Sequence, residues 1–170
     1  MSGFFPKLIS GKLMIVAGVA ALALLFWACK DPCQGVRCVH GDCLDGACKC
    51  APGYVGDSCS VEWKSLFFGT YNVYDICSLT GISLYTVNIK QDSTGLFKVL
   101  IANFANAFAG DVRATVSGNI LTIPAQSPDN DHRTVSGSGT FYNQDSLSLS
   151  YRIVSTQGWE NVCDQSYWKK

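Results

Sequence analysis

Leu147-Ser148-Leu149-Ser150-Tyr151-Arg152-Ile153 alternates apolar and polar residues without a break. Successive side chains of a strand point to opposite faces, so Leu147, Leu149, Tyr151 and Ile153 share one oily face while Ser148, Ser150 and Arg152 meet water. The same period recurs where Tyr85, Val87 and Ile89 alternate with Thr86, Asn88 and Lys90. It returns where Val112, Ala114 and Val116 alternate with Arg113 and Thr115. No stretch after residue 60 shows a helical period. One oily face per strand means an antiparallel sheet over a single core, and the fold class is all-β.

The alternation and its punctuation predict eight strands, at about 66–76, 82–91, 96–103, 111–117, 119–124, 133–142, 145–153 and 159–168. Ser117-Gly118-Asn119 and Asn143-Gln144-Asp145 read as tight turns between neighbouring strands. The short connections imply a meander, which closes into a barrel or, as the alternative, folds over as a sandwich. Gly137-Ser138-Gly139 suits a sharply bent barrel strand. Phe104-Ala-Asn-Ala-Phe108-Ala-Gly110 is an oily connection that reads as a plug over the barrel end. Trp63, Trp159 and Trp168 read as core or rim residues.

The start of the chain is different in kind. Lys7 and Lys12 precede an apolar run from Leu13 to Ala28, which ends at Cys29. A basic start, an apolar middle and a small residue before the cut make an export signal. The run is shorter than the roughly 20 residues of a spanning helix. A cysteine directly after the cut resembles a bacterial lipoprotein, whose thiol takes a diacylglycerol. Phe26 and Trp27 stand where lipoboxes carry Leu or Val and Ala or Ser, so an uncleaved N-terminal anchor is the alternative. The chain has nine cysteines. With Cys29 acylated, an even number remains to pair in an oxidising compartment.

Six cysteines form a ladder: Cys33, Cys38, Cys43, Cys48, Cys50 and Cys59. A segment this short cannot bury a core that offsets its chain entropy, so it needs covalent staples. Spacing alone leaves about 15 pairings open. The end, Cys48-Lys-Cys50-Ala-Pro-Gly53-Tyr54-Val-Gly56-Asp-Ser-Cys59, resembles the EGF-like module. Cys43-Leu-Asp45-Gly46-Ala-Cys48-Lys-Cys50 is similar to the compact repeats of tenascin-type proteins. The resemblance implies Cys33–Cys43, Cys38–Cys48 and Cys50–Cys59. The acidic lead-in of calcium-binding modules is lacking at Lys30-Asp31-Pro32, so no calcium site is expected. Zinc is not expected either, because there is no paired C-x-x-C and only His40 lies nearby. The remaining pair, Cys77 and Cys163, lies at the two ends of the meander and would tie them together.

The resulting domain plan is a signal peptide at 1–28, a lipidated tether at 29–32, an EGF-like module at 33–59, a hinge at 60–64 and a β domain at 65–170. Phe68-Gly69-Thr70-Tyr71 looks like the opening of lipocalin-like barrels. The whole layout resembles small outer-membrane lipoproteins of Bacteroidota, and Lys30-Asp31 looks like their surface-export signal. That resemblance implies a lipid-anchored, cell-surface location in the outer membrane.

Catalytic chemistry finds little footing. The chain has two histidines. His40 sits in a turn of the cysteine ladder, and His132 lies in the loop Pro128-Asp129-Asn130-Asp131-His132-Arg133. No nucleophile elbow, phosphate loop or HExxH is present. Lys plus Arg equals Asp plus Glu at 13 each, and removing Lys7 and Lys12 leaves 11 against 13. A net of minus two without a basic stripe offers no phosphate track, so nucleic acid is not an expected partner. The expectation is a non-enzymatic surface lipoprotein with no cofactor. It would bind a protein or a glycan, as an accessory subunit of an outer-membrane assembly, with the EGF-like module as spacer. The candidate binding loop is 125–133, carrying Asp129, Asp131, His132 and Arg133. The alternative is a lipocalin-like carrier of a small apolar ligand, which needs room inside the barrel.

Overall fold

The protein is represented by a computed structural model, which describes residues 31–170; the leader and Cys29 lie outside the described residues. Two small antiparallel ribbons come first: β1 (Gly41–Leu44) with β2 (Ala47–Cys50), and β3 (Tyr54–Val55) with β4 (Val61–Glu62). Three disulfides staple this module: Cys33–Cys43, Cys38–Cys48 and Cys50–Cys59, the pairs that the resemblance implies. His40 stacks on Tyr54 with ring centroids 3.9 Å apart, which makes it a packing residue of the module.

The rest is a closed eight-stranded antiparallel barrel. Its strands are β5 (Gly69–Cys77), β6 (Gly81–Gln91), β7 (Lys98–Ala102), β8 (Val112–Ser117), β9 (Ile120–Gln126), β10 (Arg133–Asn143), β11 (Ser146–Ser155) and β12 (Glu160–Lys169). Every strand pairs with its sequence neighbour, and β12 pairs with β5 to close the ring, which rules out the sandwich. Closure leaves no free sheet edge. The fourth disulfide, Cys77–Cys163, joins the first barrel strand to the last.

The expected alternation is obeyed. Tyr71, Val73, Val87, Ile89, Leu147, Leu149, Tyr151 and Trp168 all point inward and are buried. Gly137 lies on the inward side of β10, where an added Cβ would come within 2.6 Å of the Ser150 carbonyl oxygen and the Tyr151 Cβ. Its missing side chain is what lets β11 press close there.

Strand ends shift by up to three residues from the sequence reading, and two departures lie where the module meets the barrel. The first barrel strand starts at Gly69 rather than near 66, because Trp63–Phe67 forms a 3-10 turn that packs Phe67 under the barrel. Residues 60–64 read as a hinge but are a packed strap. Val61 and Glu62 pair with the module, while the buried Lys64 ammonium donates to the carbonyls of Asp92 (3.1 Å) and Gly95 (2.8 Å). Trp63 donates its indole N–H to the Gly118 carbonyl at 2.7 Å. Polarity favours a hinge in sequence, but a lysine can bury its methylenes while its ammonium meets backbone carbonyls.

Candidate binding surfaces and a buried carboxylate

The strap marks one end of the barrel. The loops at the other end are 78–80, 103–111, 127–132 and 156–159. The plug expected at 104–110 folds inward, with Phe104 and Phe108 buried. Phe104 packs edge-on against Tyr151 at 4.8 Å and lies 5.9 Å from Trp168. Deeper in, Phe67 stacks on Phe141 at 4.1 Å. The interior is filled by its own side chains.

The candidate loop is latched onto this plug. Asp129 accepts hydrogen bonds from the Gly110 N–H (2.6 Å) and the Ala109 N–H (3.2 Å). Arg133 donates to the Ala107 carbonyl (2.9 Å) and to Asp129 (3.2 Å), and its guanidinium lies 4.8 Å from the Phe108 ring centroid. Its Nε donates to Asp131 at 2.6 Å. Burial works against the Asp131 charge, but the Arg133 N–H and guanidinium outweigh it and hold the carboxyl below its usual range. Asp129, Asp131 and Arg133 are thus brought together, but to one another and to the plug. His132 contributes its backbone carbonyl, which accepts from the Thr156 N–H at 2.9 Å. Its imidazole has no hydrogen bond among the described residues, and the Ser127 hydroxyl donates to the Asp131 carbonyl instead. These four residues form a latch with no nucleophile–base pair.

The latch has a measurable consequence. Arg133→Ala is expected to free the 104–110 segment at a cost of roughly 1–3 kcal/mol, because charge-assisted bonds to the Ala107 carbonyl and Asp129 are lost together. Hydrogen exchange at the amides of Ala109 and Gly110 should rise while the strands stay protected. Unchanged exchange there would mean that the plug holds itself.

The sequence reading passed over Asp75. It lies on the inward side of β5, on the same parity as Tyr71, Val73 and Cys77, and is fully buried. Its carboxylate accepts from the Tyr85 hydroxyl at 2.5 Å, the Tyr151 hydroxyl at 2.6 Å and the Ser166 hydroxyl. Ser166 in turn accepts from the Trp168 indole N–H at 2.7 Å. Burial, reinforced by the neighbouring carboxylate, pushes both tyrosine hydroxyls far above their usual range, so they remain donors. The Cys77–Cys163 disulfide adjoins this network, with the Cys77 sulfur 3.9 Å from the Tyr151 oxygen. The signal was a charged residue on the oily parity of an otherwise regular strand. Each carboxylate oxygen is engaged from within, which makes the network part of the packed core.

The outer wall carries hollows. One of about 430 Å³ is walled by Tyr74, Leu84, Tyr142 and Tyr167. A polar one of about 420 Å³ is lined by Asp111, Arg113, Gln126 and Asn130. Among the described residues, no helix is long and apolar enough to cross a membrane.

No protein-family model matches this chain, and no curated protein does. Among solved structures, the chain is similar to a structural-genomics protein of unknown function from Bacteroides ovatus, with a TM-score of 0.41 and 15% identity. The match covers 61% of this chain and 41% of that one.

Proposed function

We propose that this chain is a non-enzymatic, lipid-anchored outer-membrane protein displayed at the cell surface, which binds another protein as an accessory subunit. Cys29 carries the lipid, the stapled module is EGF-like and acts as a spacer, and the barrel is the recognition domain. The observation that carries this reading is where open space lies. The interior is packed with aromatic rings and closed by the latched plug, whereas the hollows face outward. A rigid closed scaffold with outward hollows suits surface recognition. The same filling favours surface recognition over the alternative, a carrier that holds a small apolar ligand inside the barrel. The first-to-third, second-to-fourth and fifth-to-sixth cysteine pairing supports the EGF-like assignment, and the packed strap would make the spacer stiff.

Two measurements test this. Labelled palmitate is expected in the wild type and absent from Cys29→Ser; incorporation into both, or a mature chain that begins at Met1, rejects the lipid anchor. Crosslinking in membranes followed by capture of the full chain should recover a defined protein through barrel residues. Recovery through residues 33–59 alone would assign recognition to the module.

A further inference from the structure

The barrel wall is uneven in its exposed large apolar side chains. On the side of β7, β8 and β9 the outward residues are mixed: Lys98, Arg113, Thr115, Ser117 and Thr122 stand among the apolar Leu100, Ala102, Ile120 and Pro124. On the side of β12, β5 and β6 they include Tyr167, Tyr74 and Leu84, which lie side by side in one cross-strand row. The next row places Ile76 directly beside Ile82. Tyr142 closes the group across the hollow that it shares with Tyr74, Leu84 and Tyr167. Leu84 is 77% exposed and Tyr142 71%. Strands of a soluble barrel normally set polar residues on the wet side, and a contiguous apolar patch there marks an interaction surface. These residues form neither the core nor the latch, and the Asp75 network lies behind them.

We propose that this wall is the contact surface between two copies of the chain, related by a twofold axis. The exposed parts of the six residues amount to roughly 700 Å², close to the ~800 Å² per partner of a specific interface of standard size. The face is also self-complementary. Tyr142 and Leu84 stand proud beside a hollow of about 430 Å³ on the same face, so each copy offers both a knob and a hole. A twofold contact requires that arrangement, because one patch must fit itself. None of the six residues is charged, Lys169 borders the hollow, and without Lys7 and Lys12 of the leader the chain carries 11 Lys plus Arg against 13 Asp plus Glu. A net of minus two gives two copies little mutual repulsion, whereas a membrane-binding face would be ringed by cations. A closed barrel has no free edge to add a strand, so association through its wall has to use a face. The contact is tyrosine-rich and poor in charge at its centre, as interface cores are.

The test uses the full chain in lipid vesicles, with the photo-crosslinker benzoylphenylalanine placed at position 142 or, as control, at position 115 on the opposite wall. Irradiation is expected to give a covalent species of twice the monomer mass from position 142 and none from position 115. The yield from 142 should persist as the protein is diluted in lipid. Leu84→Glu should weaken self-association on the order of 100-fold while the folded monomer keeps the wild-type circular dichroism spectrum, because Leu84 is 77% exposed and lies outside the core. Arg113→Glu should leave the dimer intact. Monomer mass alone, crosslinks from position 142 only to lipid or to a different protein, equal yields from both positions, or a Leu84→Glu dimer of unchanged strength would each overturn the proposal. The dilution reading needs the chain held in the vesicle, but the species of twice the monomer mass and its loss in Leu84→Glu do not, so those two separate this interface from the anchor and accessory-subunit proposals.

Discussion

Replacing Cys77 and Cys163 together by alanine is expected to lower the stability of the barrel by roughly 4 kcal/mol. The bridge spans a sequence separation of 86 residues, so breaking it returns a large loop-closure entropy to the unfolded chain. It also ties β5 to β12, the pairing that closes the ring. For a domain of this size the melting temperature should fall on the order of 20 °C, read by calorimetry. The three module disulfides lie outside this loop, so their peptide map should be unchanged. A fall of only about 2–3 °C would mean that strand pairing alone fixes the two ends and that the unfolded chain is already compact.

Removing the buried carboxylate should cost about as much. Asp75→Ala leaves the hydroxyls of Tyr85, Tyr151 and Ser166 without their acceptor. Each orphaned buried donor costs ~1–3 kcal/mol, so the total is expected near 3–5 kcal/mol, since some donors find water or each other. Asp75→Asn keeps one acceptor oxygen but turns a donor toward donors, and should fall between wild type and Asp75→Ala. Urea denaturation of the three proteins checks the order. If Asp75→Ala loses less than about 1 kcal/mol, the hydroxyls are satisfied elsewhere and the network is not a unit. The double variant Asp75→Ala with Tyr151→Phe should lose less than the sum of the single losses, because the same bond is counted in both.

Much of the barrel was legible because its signal is local. Alternation along 85–90, 112–116 and 147–153 sets which residues face inward, and the turn residues between them set the meander. The first strand was overextended because Leu66, Phe67 and Phe68 are as apolar as a strand, and only the 3-10 turn under the barrel separates them from it. The strap at 60–64 was missed because a lysine there meets carbonyls contributed from residues 92 and 95, which no local pattern records. The 125–133 loop was found as a charged loop, but its partners on the plug, Gly110 and Ala107, were not, because no local pattern records them.

By itself, the sequence determined what period and composition can encode: an all-β chain of eight alternating strands, a short segment that needs disulfides to fold, and a basic-apolar start ending at Cys29. The tertiary structure alone decided closure, because whether the last strand reaches the first depends on twist and stagger summed over all eight. It also decided that Asp75 meets two tyrosines and a serine from three other strands, and that Tyr74, Leu84 and Tyr167 become one surface. Parity tells a residue which face it takes, but only pairing across strands tells it what it stands beside.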